Sequence, residues 1–154
     1  MTPAIARAEA AGIEFSVHEF EGGSGRGFGA RASEALSLPA ERVFKTLVAK
    51  LDDARLVVAI LPVASQLDLK RLAAVAGAKR AAMAPAREAE RATGYVIGGI
   101  SPLGQRQPFP TFLDESALGF ATIYVSAGRR GLELELTPQA LLELCKGEAV
   151  RLSR

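Results

Sequence analysis

Apolar residues change their spacing several times along this 154-residue chain, and each change predicts an element. Thr2 suits a helix cap, Pro3 a first helical position and Gly12 an end, so the chain opens with a helix. "EFSVHEF" alternates as a strand does, with Phe15 and Val17 toward one face and His18 and Phe20 toward the other. "EGGSGRGFG" reads as a loop and "ARASEALSL" as a short helix ending before Pro39. "RVFKTLVAK" and "ARLVVAILP", separated by the turn-like "LDD", predict a hairpin apolar at nearly every position and therefore buried on both faces. Ser65 and Asp68 have capping-box spacing ahead of a helix that stops at Gly77, and "PAREAERA" predicts a second, more charged helix. "YVIGG", "TFLDES", "ATIYVSAG" and "GLELELT" predict strands, and Thr137-Pro138 begins a last helix, "PQALLELCK", ended by Gly147.

Elements alternate early and become strand-rich late, which predicts a mixed α+β fold around one curved sheet. No repeat, low-complexity tract or long linker divides the chain, so residues 1–154 are expected to form a single domain. A chain of this length buries roughly 70% of its unfolded surface and needs no covalent staple. Its one cysteine excludes an intramolecular disulfide. The N-terminus lacks the basic start and apolar core of a signal peptide, and no apolar run is long enough to span a bilayer. The expected setting is cytoplasmic, with no membrane partner. The balance of 19 Lys+Arg against 17 Asp+Glu leaves a formal charge of +2, too small to name a nucleic acid partner. Local groups at Lys70-Arg71, Lys79-Arg80, Arg87, Arg91 and Arg129-Arg130 suit either solvated faces or a phosphate-contacting surface.

Most familiar chemistries find no support. Gly25, Gly27 and Ala30 satisfy a loose dinucleotide fingerprint, but the strand before them is half polar where such a strand should be apolar. One His and one Cys, far apart, make a zinc site implausible, and no tight acidic cluster replaces them; neither metal nor cofactor is expected. His18 reads as a partly buried, hydrogen-bonded strand residue, and Cys145 as part of the apolar stripe of the last helix. Lys45 is more informative. It shares a strand face with Val43, Leu47 and Ala49, so its ammonium either snorkels to water or meets an anionic or carbonyl partner in a pocket. "GYVIGGISPLGQ", Gly94 to Gln105, is either a tight turn between strands or a loop whose free N–H groups face a ligand, stiffened by Pro102.

Three strings together, "FKTL" at Phe44–Leu47, "TGYVIGGISPLGQ" at Thr93–Gln105 and "IYVSAGRRG" at Ile123–Gly131, resemble the YbaK/EbsC family of aminoacyl-tRNA deacylases. Within it the likeness is to the YbaK-type Cys-tRNA(Pro) deacylases, and it covers nearly the whole chain. The resemblance implies a mixed sheet curved into a barrel-like core with helices around it, similar to an insertion domain of prolyl-tRNA synthetases. It implies an enzyme that clears mischarged tRNA in trans, taking the aminoacylated 3′ end of tRNA as substrate and prolyl-tRNA synthetase as partner. Carried over, the catalytic set is Lys45, Gly98, Gly99 and Ser101; the substrate-binding set is Phe20, Phe28, Thr46, Ile100, Pro102, Ser126 and Gly128. The implied mechanism uses the thiol of the cysteinyl substrate against its own ester, which asks the protein for orientation and charge stabilisation alone. Two positions depart from the family pattern. Phe20 stands where relatives often have tyrosine, and "GQRQPFPTF" carries one arginine and two prolines where relatives are more basic. The rival readings are an editing hydrolase that uses water on Ala- or Ser-tRNA, and a non-catalytic module that holds an aminoacyl end or another nucleotide.

Overall fold

The hairpin of strands β2 (Phe44–Leu51) and β3 (Leu56–Pro62) forms the centre of the larger sheet. It pairs antiparallel from Phe44↔Pro62 to Lys50↔Leu56. Its alternate residues bury into different cores: Phe44, Val48, Val58 and Ile60 on one side, Ala49, Leu51, Val57 and Ala59 on the other. A strand pair covered on both faces has no use for polar alternation, which is why the sequence shows almost none. The computed structural model describes residues 1–20 and 38–154. The expected glycine loop, most of the expected short helix before Pro39, and Phe28 lie outside the described residues.

β4 (Ala81–Met83) pairs antiparallel with the end of β2, while β5 (Thr111–Asp114) and β8 (Glu148–Val150) extend the sheet parallel on the side of β3. The order is β4-β2-β3-β5-β8. A second, antiparallel sheet has the order β1-β7-β6, from β1 (Ser16–Glu19), β7 (Leu132–Leu136) and β6 (Ile123–Ser126). The sheets share a core, and among the described residues one parallel main-chain bridge, Val43↔Tyr124, joins them. The fold is therefore α+β and mixed as expected, but the expected barrel does not close among the described residues. β6 ends at Ser126 and turns back into β7, whereas β2 runs on to meet β4.

Four helices are described. Thr2 caps α1 (Pro3–Ala11) by accepting from the Ile5 amide at 3.2 Å, and Gly12 ends it in left-handed backbone, as the sequence predicts. The same hydroxyl donates to the Ala127 carbonyl and so ties α1 to the smaller sheet. α2 (Leu69–Val75) is capped by Asp68, which accepts from Lys70 and Arg71 amides, rather than by a box begun at Ser65. α3 (Ala86–Thr93) follows its predicted range and ends at Gly94. α4 (Pro138–Cys145) is capped by Thr137, but Lys146, at φ 51°, ends it one residue before Gly147.

"YVIGG" is not a strand. Gly94 and Gly98 both take positive φ, 84° and 88°, and Gly99 N–H closes a turn on the Val96 carbonyl at 2.9 Å. Tyr95 is instead a buried anchor whose hydroxyl donates to the Leu103 carbonyl at 2.6 Å. β5 also stops short of the predicted "TFLDES", because Asp114 turns its carboxylate onto Ser116 N–H and Oγ, at 3.3 and 2.6 Å, and starts a short 3₁₀ segment.

Asp114 also accepts from the Leu152 and Ser153 amides at 2.8 and 3.0 Å, fixing the C-terminal residues against β5. Burial alone would raise its pKa, but hydrogen bonds from Ser116, Leu152 and Ser153 outweigh it and hold the carboxyl below the usual range. A depressed pKa stabilises above the unfolded value, and that share is lost as pH falls through the folded one. Asp114→Ala should therefore cost roughly 2–4 kcal/mol at neutral pH, because two main-chain donors lose their acceptor. Denaturant titrations at neutral and acidic pH check this; the gap between variant and wild type should narrow in acid.

Candidate active site

Strand register gathers the site. Val43 bridges Tyr124 in parallel, so Lys45 and Ser126, each two residues further on, stand on the same face of neighbouring strands. In the smaller sheet Ser126 is opposite Glu133, and Glu133 is opposite His18. Phe20 packs with Val43, Tyr124, Leu38 and Val63 at the end of this face, and its N–H donates to the Gly131 carbonyl at 2.8 Å. Lys45, Phe20 and Ser126 thus border one region.

The Lys45 ammonium meets carbonyl partners instead of running free to water. Its Nζ donates to the Ser65 carbonyl at 2.6 Å and reaches the Val63 carbonyl at 3.5 Å, and burial lowers its pKa. Ser65, expected as a cap, serves through its main chain. Two carbonyls hold the ammonium in place without neutralising it. Thr46 points the opposite way, with Phe44 and Val48, and its Oγ1 is buried with no hydrogen-bond partner.

The glycine stretch docks on the turn between β6 and β7. A Cβ on Gly99 would lie 2.9 Å from Arg129 Cα, and one on Gly128 would lie 2.9 Å from the Tyr95 ring. Arg130 Nε donates to the Ile97 carbonyl at 2.9 Å. The glycine stretch and the turn that holds Gly128 are therefore brought together, with Ser126 Oγ accepting from the Gly128 amide at 3.1 Å, and Gly99 is used for backbone-to-backbone contact within the protein. Gly98 is exposed, whereas Gly99, Ile100, Ser101 and Pro102 are buried. Ser101 Oγ accepts from the Leu103 amide at 3.2 Å, and its carbonyl accepts from Gln105 Nε2 at 2.9 Å. The amides of Gly98, Ile100 and Ser101 find no acceptor among the described residues.

Glu133 is the residue that sequence reasoning missed. It is 7% exposed, its carboxyl makes no hydrogen bond or ion pair among the described residues, and burial pushes its pKa up to about 8. The repeated "LELEL" hides it beside Glu135, which is fully engaged: it meets His18 Nε2 at 2.9 Å and accepts from Thr122 Oγ1 at 2.6 Å. His18 is thereby a structural strand residue, packed edge-on against Tyr124. Cys145 is half-buried among the core residues of α4, and burial pushes its thiol up to about 11. Among the described residues, no group of three His, Cys, Asp or Glu side chains is placed to hold a metal ion, and no helix is long and apolar enough to cross a membrane.

Residues 29–144 match the family model of the aminoacyl-tRNA editing domain. The chain belongs to that family. EbsC of Enterococcus faecalis, named for a proposed Cys-tRNA(Pro)/Cys-tRNA(Cys) deacylase activity, is 43% identical over 116 residues, which cover 75% of this editing domain's chain and 71% of EbsC. A crystal structure of a proposed trans-editing enzyme for prolyl-tRNA synthetase superposes with a TM-score of 0.86 at 25% identity, covering 100% of this chain and 99% of the other. That of hypothetical protein APE2540 superposes at 0.89 with 22% identity over 99% of both chains, a likeness of fold.

Glu133→Gln tests the buried acid through stability. With a folded pKa above the unfolded value, the folded state keeps a proton that the unfolded chain gives up, so wild-type stability falls from about pH 5 to pH 8 and levels off above. The glutamine variant should escape that loss and exceed wild type at pH 8.5 by an amount on the order of a few kcal/mol. Melting temperatures across this pH range check it; parallel curves for the two proteins would place the carboxyl in water.

Proposed function

We propose that this editing domain is a trans-acting deacylase that removes cysteine from mischarged Cys-tRNA(Pro), and from Cys-tRNA(Cys), through the substrate's own thiol. One observation carries the reading: the site offers a held cation and unpaired amides, while the chain's only histidine is tied to Glu135 and its only cysteine is half-buried in the core of α4. A site built to stabilise charge, without a nucleophile, suits a substrate that brings one. Identity to EbsC supports the same reaction class.

In this reading the cysteinyl sulfur attacks the ester carbonyl, an S–C bond forms, and the C–O bond to the terminal ribose breaks. The thiol proton ends on the ribose oxygen, leaving a cyclic thiolactone and free tRNA. Lys45 and the amides of Gly98, Ile100 and Ser101 oppose the charge that develops on the carbonyl oxygen. Glu133, mostly protonated at neutral pH, adds little negative charge to the face that Lys45 serves. Tethering supplies the rest, since well-oriented intramolecular reactions reach effective molarities of about 10⁵ M or more. Residues 1–154 act as one cytoplasmic editing unit, and prolyl-tRNA synthetase supplies the choice of tRNA.

Lys45→Ala should lower deacylation about 100-fold or more while the protein stays folded, the expected effect of losing a preorganised charge. Single-turnover rates on Cys-tRNA check it, and a folded variant near the wild-type rate would remove Lys45 from the reaction. The nucleophile is tested by comparing Cys-tRNA, S-methyl-Cys-tRNA and Ser-tRNA, with products identified by mass. Only the first should be cleaved rapidly, giving a thiolactone or its hydrolysis product. Comparable cleavage of either other substrate would make water the nucleophile and favour an editing hydrolase.

A further inference from the structure

Resting on the deacylase reading, we propose that the groove between α3 and the β2–β3 hairpin grips the phosphate backbone of the RNA whose 3′ end enters the site. The groove is open, about 650 Å³, and lined by Lys50, Leu56, Arg87, Glu88, Arg91 and Gln107. Its charges are not balanced. The two acids of α3 are both engaged by groups of the chain itself: Glu88 pairs with Lys50 at 3.0 Å, and Glu90 accepts from the Ile97 amide at 2.8 Å. Arg87 and Arg91 are exposed and have no carboxylate partner among the described residues.

A merely solvated helix face would be expected to pair its charges at i,i+3 and i,i+4. Here Glu90 and Glu88 stand three residues from Arg87 and Arg91 but bond Ile97 and Lys50 instead, leaving two arginines four apart, a like-charge spacing that weakens a helix by a few tenths of a kcal/mol. Their separation along the axis is about 6 Å, a step that successive phosphates of one strand can follow. The planar guanidinium fork suits phosphate oxygens. Arg106 extends the track: its Nη1 donates to the Arg91 carbonyl at 3.1 Å, and its side chain lies over Gly94, where an added Cβ would meet it at 3.0 Å. From Gly94 the chain passes directly into the loop that holds Gly98. The side chains of Arg87, Arg91 and Arg106 thus form a track that ends beside the loop holding Gly98. The grip is sequence-independent, which leaves selection of the tRNA to the synthetase.

The test compares wild type, R87E/R91E and R87Q/R91Q. Uncharged tRNA binding is followed by fluorescence anisotropy over a series of salt concentrations. Charge reversal should weaken binding about tenfold or more at low salt and reduce the slope of log affinity against log salt by roughly 1.5–2, with the glutamine pair in between. On Cys-tRNA, KM should rise by a similar factor with kcat within about twofold, and cleavage of a cysteinyl-adenosine ester should not change. An unchanged salt slope overturns the proposal. So does a loss seen only when prolyl-tRNA synthetase is present, which would make the groove a protein-docking surface, or an equal loss on the adenosine ester, which would make the arginines structural. The binding measurement does not depend on cleavage. A wild type that cleaves neither substrate would refute the deacylase reading and leave the groove to be decided by the salt slopes.

Discussion

The main-chain bridge between Val43 and Tyr124 joins the two sheets, and the position of the site follows from it. One parallel contact aligns β2 with β6 and thereby puts Lys45 on the face of Ser126 and Glu133. Beyond it the strands part, because β6 must turn back while β2 still has β4 to pair with. Continued pairing would close the barrel and bury the edge of β2 in hydrogen bonds. Where the strands part, Lys45 is partly desolvated and still held by carbonyls.

The glycine stretch is the second joint. Its close packing against the Arg129–Arg130 backbone, with Gly128 against Tyr95 and Gly104 against Pro3, binds three distant segments at the distances only a missing Cβ permits. Rigidity of this kind is what a site without a nucleophile requires. Stabilising a developing charge depends on dipoles that do not have to reorganise, and in the proposed reaction a loop locked by its own neighbours would supply them.

Much of this was legible in the sequence where the cause is local. Thr2, Pro3 and Gly12 mark the ends of α1 by side-chain and φ preferences that act over a few residues. The central hairpin announces itself by its unbroken apolar run. What stayed hidden depends on distant partners. "YVIGG" has the composition of a strand and becomes a turn because Tyr95 is anchored at Leu103 and Gly98 takes positive φ. Ser65 has the spacing of a cap, yet Asp68 takes that role, and the Ser65 carbonyl goes to a lysine twenty residues earlier. Glu133 differs from Glu135 only in what lies opposite it, which no window of sequence records. Lys45 could be singled out as costly; which carbonyls offset that cost required the fold.

The burial of Cys145 has a consequence for redox chemistry. Under the proposed activity the protein would meet free sulfhydryls at every turnover, and an accessible thiolate of its own would invite mixed disulfides with substrate and product. Exchange proceeds through the thiolate, and a thiol held near pKa 11 is almost wholly protonated at neutral pH. The chain's single thiol is thus kept out of the exchange pool, so repeated contact with cysteine would leave the protein without a covalent record of it.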